Sequence, residues 1–320
     1  MPMPIGQVNA HLDDGLVMRV GIPHHGGLLV RHALEQGYPA MVSAGAFWDA
    51  RKGSFRVPEY TNLTECDFAL DSGGFTAMRL AQKKGPQAGI ASVYPWSYGQ
   101  YLELANTVGA RWYSAVDMCC EPEIVCGPEE IDYRIRATAT LLEGSLRIIY
   151  AWQNELAKTC SDTVVQNLVR PPTPVLQGWT PSSYLQSLEL TMAVWERWQP
   201  WLAPPRLIGI GSMCRRDVFN KEFGLLAVLA KLDGQLPEGS RAHLYGVKGA
   251  VLKHLSQSPW VASVDSMAWD SGARFKALKS GHSNTSVFRC SEMTKWMRSK
   301  AQLIAPQFDD DFRLPLAMAA

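Results

Sequence analysis

Several things are scarce in this sequence, and each scarcity removes a class of protein. Charge of one sign is the first: 31 Lys and Arg stand against 30 Asp and Glu, a net charge of +1. No global basic field advertises a nucleic-acid binder, so such a substrate needs a local patch. No uncharged apolar run reaches the roughly 18–20 residues that a membrane span requires. The opening MPMPIGQVNA has neither a basic n-region nor an apolar h-region, and no signal peptide is expected. The 7 cysteines are irregularly placed, two of them adjacent at Cys119 and Cys120. That is a poor disulfide framework and favours a reducing, cytoplasmic setting. Cysteines at knuckle spacing are missing, so a structural zinc, drawing also on His282 and Cys290, lacks a ligand pattern. Cys119, Cys120 and Cys126 read as small buried hydrophobes. No GxGxxG follows the first strand, which argues against a dinucleotide-binding fold.

What is present is an alternation. Short apolar runs at residues 38–46, 67–70, 112–116, 175–176, 206–210, 242–245 and 261–264 read as buried strands. Val17–Ile22 is a further candidate, within a stretch, 1–38, that carries little pattern; the pair His24-His25 in it reads as polar surface. Helical spacing or helix starts follow at 97–108, from Pro128 to about 157 with a break, from Thr180-Pro181, and at 223–232, 251–255 and 291–304. Residues 47–64 and 83–94 read as loops. Strand then helix, repeated six or seven times, means a parallel sheet with helical crossovers. For 320 residues, 47% hydrophobic, the expected architecture is a single α/β domain over 1–320, a (β/α)8 TIM-type barrel. The alternative is a doubly wound open sheet. The motifs lie within 38–274, and 275–320 is expected to be a helical tail. The Trp-rich segment 195–201 reads either as core or as an interface patch, which leaves a homodimer open.

The strand ends carry the chemistry. They present Asp71, Asp117, Gln177, Gly211-Ser212, Tyr245-Gly246 and Asp265. In a parallel α/β protein the C-terminal ends of strands converge on one face. Three carboxylates, one amide and two aromatic rings, Phe75 and Tyr245, suit a flat hydrogen-bonding heterocycle. A Lys/Arg cluster for a small phosphorylated substrate is missing, as is a His pair for a catalytic metal. Each acid also has an ordinary reading: Asp71 and Asp265 as turn or cap residues, Asp117 in a buried salt bridge.

With these residues in view, the chain resembles the tRNA-guanine transglycosylases, and specifically their DNA-acting relatives, the DpdA-type DNA 7-deazaguanine transglycosylases. Asp71-Ser72-Gly73-Gly74-Phe75 is similar to that family's Asp-Ser-Gly-Gly-aromatic element. Val116-Asp117 with Cys119, Gln177-Gly178, residues 209–213, His243-Leu244-Tyr245-Gly246-Val247, and Asp265 with Arg274 nine residues on follow in the family's order. Two departures stand out. Trp269-Asp270-Ser271 replaces Pro-Thr-Arg in the nucleophile loop, and the tRNA enzymes' C-x-C-x2-C…H zinc site is missing, which argues against tRNA.

The resemblance implies a transglycosylase fold and an exchange of guanine in DNA for a 7-deazaguanine of the preQ0 type, with no cofactor required. It implies that Asp265 is the nucleophile and Asp71 the general acid and base. It further implies that Asp117 reads the N1 and N2 edge of the base and Gln177 reads O6. Gly211 and Ser212 lie near the 7-substituent, Phe75 and Tyr245 stack, and Ser72, Gly73, Cys119 and Gly246 complete the base site. The target nucleotide must be flipped or single-stranded, because its C1′ is shielded in the duplex. A role in a phage or mobile element, against restriction, is also implied. Arg274, Arg215, Arg216 and Lys276 are the first candidates for phosphate contact, with Lys83, Lys84, Lys279, Lys295 and Arg298 behind them. The competing expectations are a tRNA-acting homologue and a non-catalytic barrel that binds nucleic acid.

Overall fold

The computed structural model describes residues 15–304, apart from 58 and 60. Expectations for the N-terminal ten residues, and for the end of the tail beyond 304, lie outside the described residues. The strands in chain order are β1 (Val17–Ile22), β2 (Ala40–Ser43), a short antiparallel hairpin β3 (Trp48–Asp49) and β4 (Ser54–Phe55), then β5 (Phe68–Asp71), β6 (Val175–Leu176), β7 (Leu207–Ile210), β8 (Arg241–Leu244) and β9 (Val261–Ser266). The helices are α1 (Leu28–Glu35), α2 (Gly74–Lys84), α3 (Tyr98–Thr107), α4 (Pro128–Leu156), α5 (Asp162–Leu168), α6 (Pro181–Arg197), α7 (Leu225–Leu232), α8 (Leu252–Leu255), α9 (Ala268–Ser280) and α10 (Ser286–Ile304).

Seven strands form one sheet in the order β5-β2-β1-β9-β8-β7-β6, every pairing parallel. Most crossovers run through helices, as parallel pairing favours, while β2 reaches β5 through the hairpin and a 3-10 turn. Residues 112–116, expected as a strand, make only single parallel bridges: Leu70 with Tyr113 beside β5, and Ser114 with Thr173 just before β6. The backbone bonds there are short and regular, Ser114 N–H donating to Leu70 at 3.0 Å and Thr173 N–H to Tyr113 at 2.8 Å. Both outer strands of the sheet are therefore approached by the same segment.

Side-chain alternation splits the apolar residues into two layers. Val20, Val42, Leu70, Ile208, Ile210 and Val264 join the main core against the helices. Met41, Ala69, Trp112, Leu207 and Ala262 form a small separate cluster on the other face, with Tyr245 packed against it. Beside that cluster lies Arg19, its guanidinium 5.7 Å from the Trp112 ring and its Nη1 3.0 Å from Asp67. Arg111 reaches the other oxygen of Asp67 at 2.7 Å.

Helix starts follow local chemistry. Ser97 and Gln100 form a reciprocal capping box on α3, and Thr180 and Ser183 one on α6, with Pro181 in its first turn. The 29-residue α4 runs without the expected break, opened by Pro128 with Glu129 and Glu130 at its positive end. Unforeseen are α1, α5, α9 and the hairpin in the aromatic loop 47–64. Trp195 and Trp201 are core: their indole N–H groups donate to Ala203 and to Gln153 at 2.8 and 2.9 Å. His25 is more than polar surface; its Nδ1 lies 2.7 Å from the Ala46 carbonyl and its ring stacks on Phe47. Cys126, expected to be buried, is exposed, whereas Cys119 and Cys120 are buried. Among the described residues no group of three His, Cys, Asp or Glu is placed to hold a metal, and no helix is long and apolar enough to cross a membrane.

Candidate active site

Most of the expected base-site residues stand at or just past the C-terminal end of a strand. Asp71 ends β5, Gln177 follows β6, Gly211 and Ser212 follow β7, Tyr245 and Gly246 follow β8, and Asp265 is the penultimate residue of β9. Asp117 lies three residues after the Ser114 bridge. The sheet brings them together because its strands are parallel, so their C-terminal ends share one face.

Asp117 is the most elaborated of the three acids. It is buried, and Ser72 Oγ donates to its Oδ1 at 2.6 Å while Gln177 Nε2 donates to its Oδ2. Cys119 Sγ lies 3.8 Å from the same Oδ2. Burial pushes the Asp117 carboxyl up from the usual range, and these donors push it back. Ser72 and Gln177 take two of the roughly four acceptor sites of a carboxylate, and the longer contacts of Cys119 at 3.8 Å and Tyr94 Oη at 3.5 Å border the others. The backbone of Asp117 is clamped by Tyr94, whose hydroxyl donates to its carbonyl at 2.6 Å and accepts from its N–H at 3.1 Å. Tyr94 leans on Trp96, which in turn packs on Trp48 and Phe55 of the hairpin. The unforeseen hairpin thus buttresses the acid from outside.

Asp71 faces both other acids. Burial first, then the charges of Asp117 and Asp265, raise its carboxyl to about 7, against weaker opposition from Gly73 N–H, which donates to Oδ2 at 3.0 Å, and from Ser43. Gly73 adopts φ 78°, a left-handed turn that lets its own N–H fold back onto Asp71. Asp265 accepts from Gly246 N–H at 2.9 Å, and His243 Nε2 lies 3.4 Å from the same Oδ1. His243 is fully buried between the Trp112 and Tyr245 rings, and burial lowers its pKa despite the pull of Asp265. Its Nδ1 sits 2.7 Å from Ser263 Oγ. Sequence reading passed over His243 as a site residue, although it opens the His-Leu-Tyr-Gly-Val element. Tyr94 carried no signal, standing in a loop of Gly and Pro.

Gly211 has a steric cause. A Cβ there would fall 2.1 Å from Gln177 Nε2, so glycine alone lets the amide reach Asp117. Tyr245 points inward, its hydroxyl 2.8 Å from Ser114 Oγ. Phe75 is half-buried at the start of α2, with the Arg215 guanidinium 6.0 Å from its ring.

The basic candidates divide. Arg216 is not a phosphate ligand: it is 1% exposed and donates to the carbonyls of Ser212, Gly178, Phe223 and Trp179, and to Tyr184 Oη. Its guanidinium lies 4.1 Å from the Trp179 ring. It ties the loop after β7 to the loop after β6. Arg215, by contrast, has a side chain 68% exposed, 3.6 Å from Glu123. Arg274 pairs with Asp270 at 2.8 Å and Lys276 with Glu292 at 2.9 Å, both with half-exposed cations. Asp270 also binds the buried Arg289, and Trp269 is buried with its indole N–H on the Gly21 carbonyl at 2.9 Å. Trp269-Asp270-Ser271 therefore start and anchor α9. The two adjacent arginines predict opposite phenotypes. Arg216→Ala is expected to cost about 3 kcal/mol or more in denaturant unfolding, because charged hydrogen bonds and a buried stack are lost. Arg215→Ala is expected to leave the unfolding midpoint in place and to lower the salt slope of DNA binding by about 1.

The strand ends of this parallel sheet gather three acids, an amide bonded to one of them and a carboxyl raised to about 7, which marks a protein with an acidic, hydrogen-bonding site on one face of its sheet. The family of such proteins can be named: a family model, DpdA, DeoxyPurine in DNA protein A, matches residues 46–316, and the chain belongs to that family. Membership makes it a DNA-modifying transglycosylase related to the tRNA-guanine transglycosylases. No match was found among curated proteins.

Proposed function

We propose that this protein exchanges guanine in DNA for a 7-deazaguanine base through a covalent aspartyl-glycosyl intermediate. The observation that carries the reading is the acid triplet: Asp71, raised to about 7 by burial and by Asp117 and Asp265, in a chain of the DpdA family. Asp265 attacks C1′ of the target nucleoside. The C1′–N9 bond breaks, its electron pair leaves with guanine, and the proton of Asp71 neutralises the departing base. The incoming base then gives its N9 proton to the Asp71 carboxylate. Its N9 forms the new bond to C1′ and displaces Asp265, so the sugar retains its configuration, as in retaining glycosidases.

Asp117 accepts from N1–H and the exocyclic amine of the base, which replace the long contacts of Cys119 and Tyr94 to its carboxylate. Gln177 has one N–H left over for O6 once the other is given to Asp117. Phe75 and Tyr245 supply aromatic surface, and Gly211, Ser212 and Cys119 border the ring. Arg215, held by Glu123 only at 3.6 Å, is the leading phosphate contact, ahead of Arg274 and Lys276, whose closer partners at 2.8 and 2.9 Å must release them. The bridges at Tyr113 and Ser114 support an eight-membered (β/α)8 ring in which residues 113–114 stand between β5 and β6.

The test is nucleoside mass spectrometry of plasmid DNA and of total tRNA from cells that express the protein and have a supply of 7-deazaguanine, beside cells expressing Asp265→Asn. The expected result is a 7-deazaguanine nucleoside in DNA, lost in the variant. Modified tRNA with unmodified DNA overturns the choice of substrate. No modified nucleoside in either overturns the reaction.

A further inference from the structure

Glu121 is a carboxyl that the reaction above does not use. It is 4% exposed, four residues past Asp117, in a loop without regular structure. Its Oε2 lies 2.9 Å from Ser212 Oγ. Ser212 Oγ also lies 2.6 Å from Gln177 Oε1 and accepts the Cys120 N–H at 2.7 Å. Ser212 itself sits at φ 53°, a left-handed conformation that costs a non-glycine residue about 1 kcal/mol and that aims its hydroxyl into this cluster.

The proton inventory is decisive here. A serine hydroxyl has one hydrogen and two lone pairs. Two acceptors, Gln177 Oε1 and Glu121 Oε2, stand within reach of that one hydrogen. The Gln177 amide cannot turn over, because Oε1 would then oppose Asp117. With Asp117 ionised to receive the Gln177 N–H, every contact is satisfied together in one way. Ser212 donates to Gln177, and its lone pairs accept from Cys120 N–H and from a protonated Glu121. An ionised Glu121 competes for the same hydrogen and strips Gln177 of its donor.

We infer that Glu121 is a positioning residue for base recognition: its carboxylic proton, given to Ser212, commits the Ser212 hydrogen to Gln177 and fixes the amide that meets the base. The inference rests on the proposed base exchange. Burial raises the Glu121 carboxyl to about 7, opposed by its own backbone N–H and by Ser212 and helped by Asp117 and Glu123. Cys119 and Cys120 on the same loop, Cys214 after β7 and Tyr184 from α6 also face it, and burial raises each of them, so they stay neutral at that pH. The nearby cations, Arg134 and Arg216, are bonded to backbone carbonyls.

The test is guanine binding to the full chain, followed by calorimetry from about pH 6 to about pH 8.5, for wild type, Glu121→Gln and Glu121→Ala. In wild type the Kd is expected to rise roughly 3- to 10-fold as Glu121 ionises, the worth of one hydrogen bond. Glutamine at 121 can donate to Ser212 at any pH, so this variant is expected to lose that rise. Alanine removes the competing acceptor and leaves the Ser212 hydrogen to Gln177, so it too is expected to lose the rise. Asp71 also titrates near neutrality, so the readout is the ratio of wild type to Glu121→Gln, in which its contribution cancels. A ratio independent of pH, or an alanine variant that keeps the pH-dependent rise, overturns the inference and leaves base exchange standing. Absence of guanine binding at every pH overturns both.

Discussion

Asparagine at position 265 is expected to abolish base exchange, lowering the rate roughly 10³-fold or more. The argument is local. The amide oxygen can still accept from Gly246 N–H, which Asp265 Oδ1 now does at 2.9 Å, so β9 and the turn after β8 keep their geometry. What disappears is the negative oxygen that bonds to C1′. Two measurements check this. Labelled guanine should enter DNA with wild type and not with the variant. A DNA–protein adduct that survives denaturation should form with wild type alone. Exchange lost with the adduct retained would move the nucleophile to another side chain. Exchange retained would remove covalent catalysis by Asp265 altogether. The unfolding midpoint of the variant is expected to stay close to wild type, which separates lost chemistry from lost structure.

The acids were legible in the sequence because each is punctuated. Asp71 ends an apolar run and is followed by two glycines, Asp117 ends another, and Gln177 precedes a glycine and a Thr-Pro helix start. What surrounds them was not legible. Tyr94 clamps Asp117 across 23 residues, and Ser212 contacts Glu121 across 91. Bonds of that range leave no periodicity. The misplacement of Arg216 has a similar cause. Two adjacent arginines after a glycine-rich strand end look alike in sequence, yet Arg215 turns to solvent while Arg216 turns to four carbonyls. The backbone decides which is which, with Arg215 at φ 60°. Residues 112–116 are a milder case. Their apolar pattern is that of a strand, but only Tyr113 and Ser114 meet neighbours in register, and beyond Ala115, whose N–H still donates to Thr173, residues 116–121 leave the ladder with Asp117 and Glu121.

Replacing Asp71 with asparagine is expected to lower kcat/KM for DNA by roughly 10²- to 10⁴-fold, the usual worth of a general acid. The pH profile carries the sharper expectation. An acid that protonates a leaving base is active in its protonated form. Burial and the two neighbouring acids raise Asp71 to about 7, so wild-type kcat/KM should be high below that pH and fall above it. The variant should have low activity without that limb. The same shift has a consequence for stability. A carboxyl raised on folding binds its proton more tightly in the folded state, so folding is penalised as pH rises from the unfolded value near 3.8 to about 7. Asparagine carries no such penalty, and the variant is expected to gain stability relative to wild type as pH increases through that window. Denaturant unfolding at mildly acidic and at mildly alkaline pH checks the sign. A variant that is both less active and more stable at alkaline pH identifies Asp71 as a group whose proton is held for chemistry at a cost to the fold. A variant destabilised equally at all pH would make the carboxyl a structural cap on the turn at Gly73.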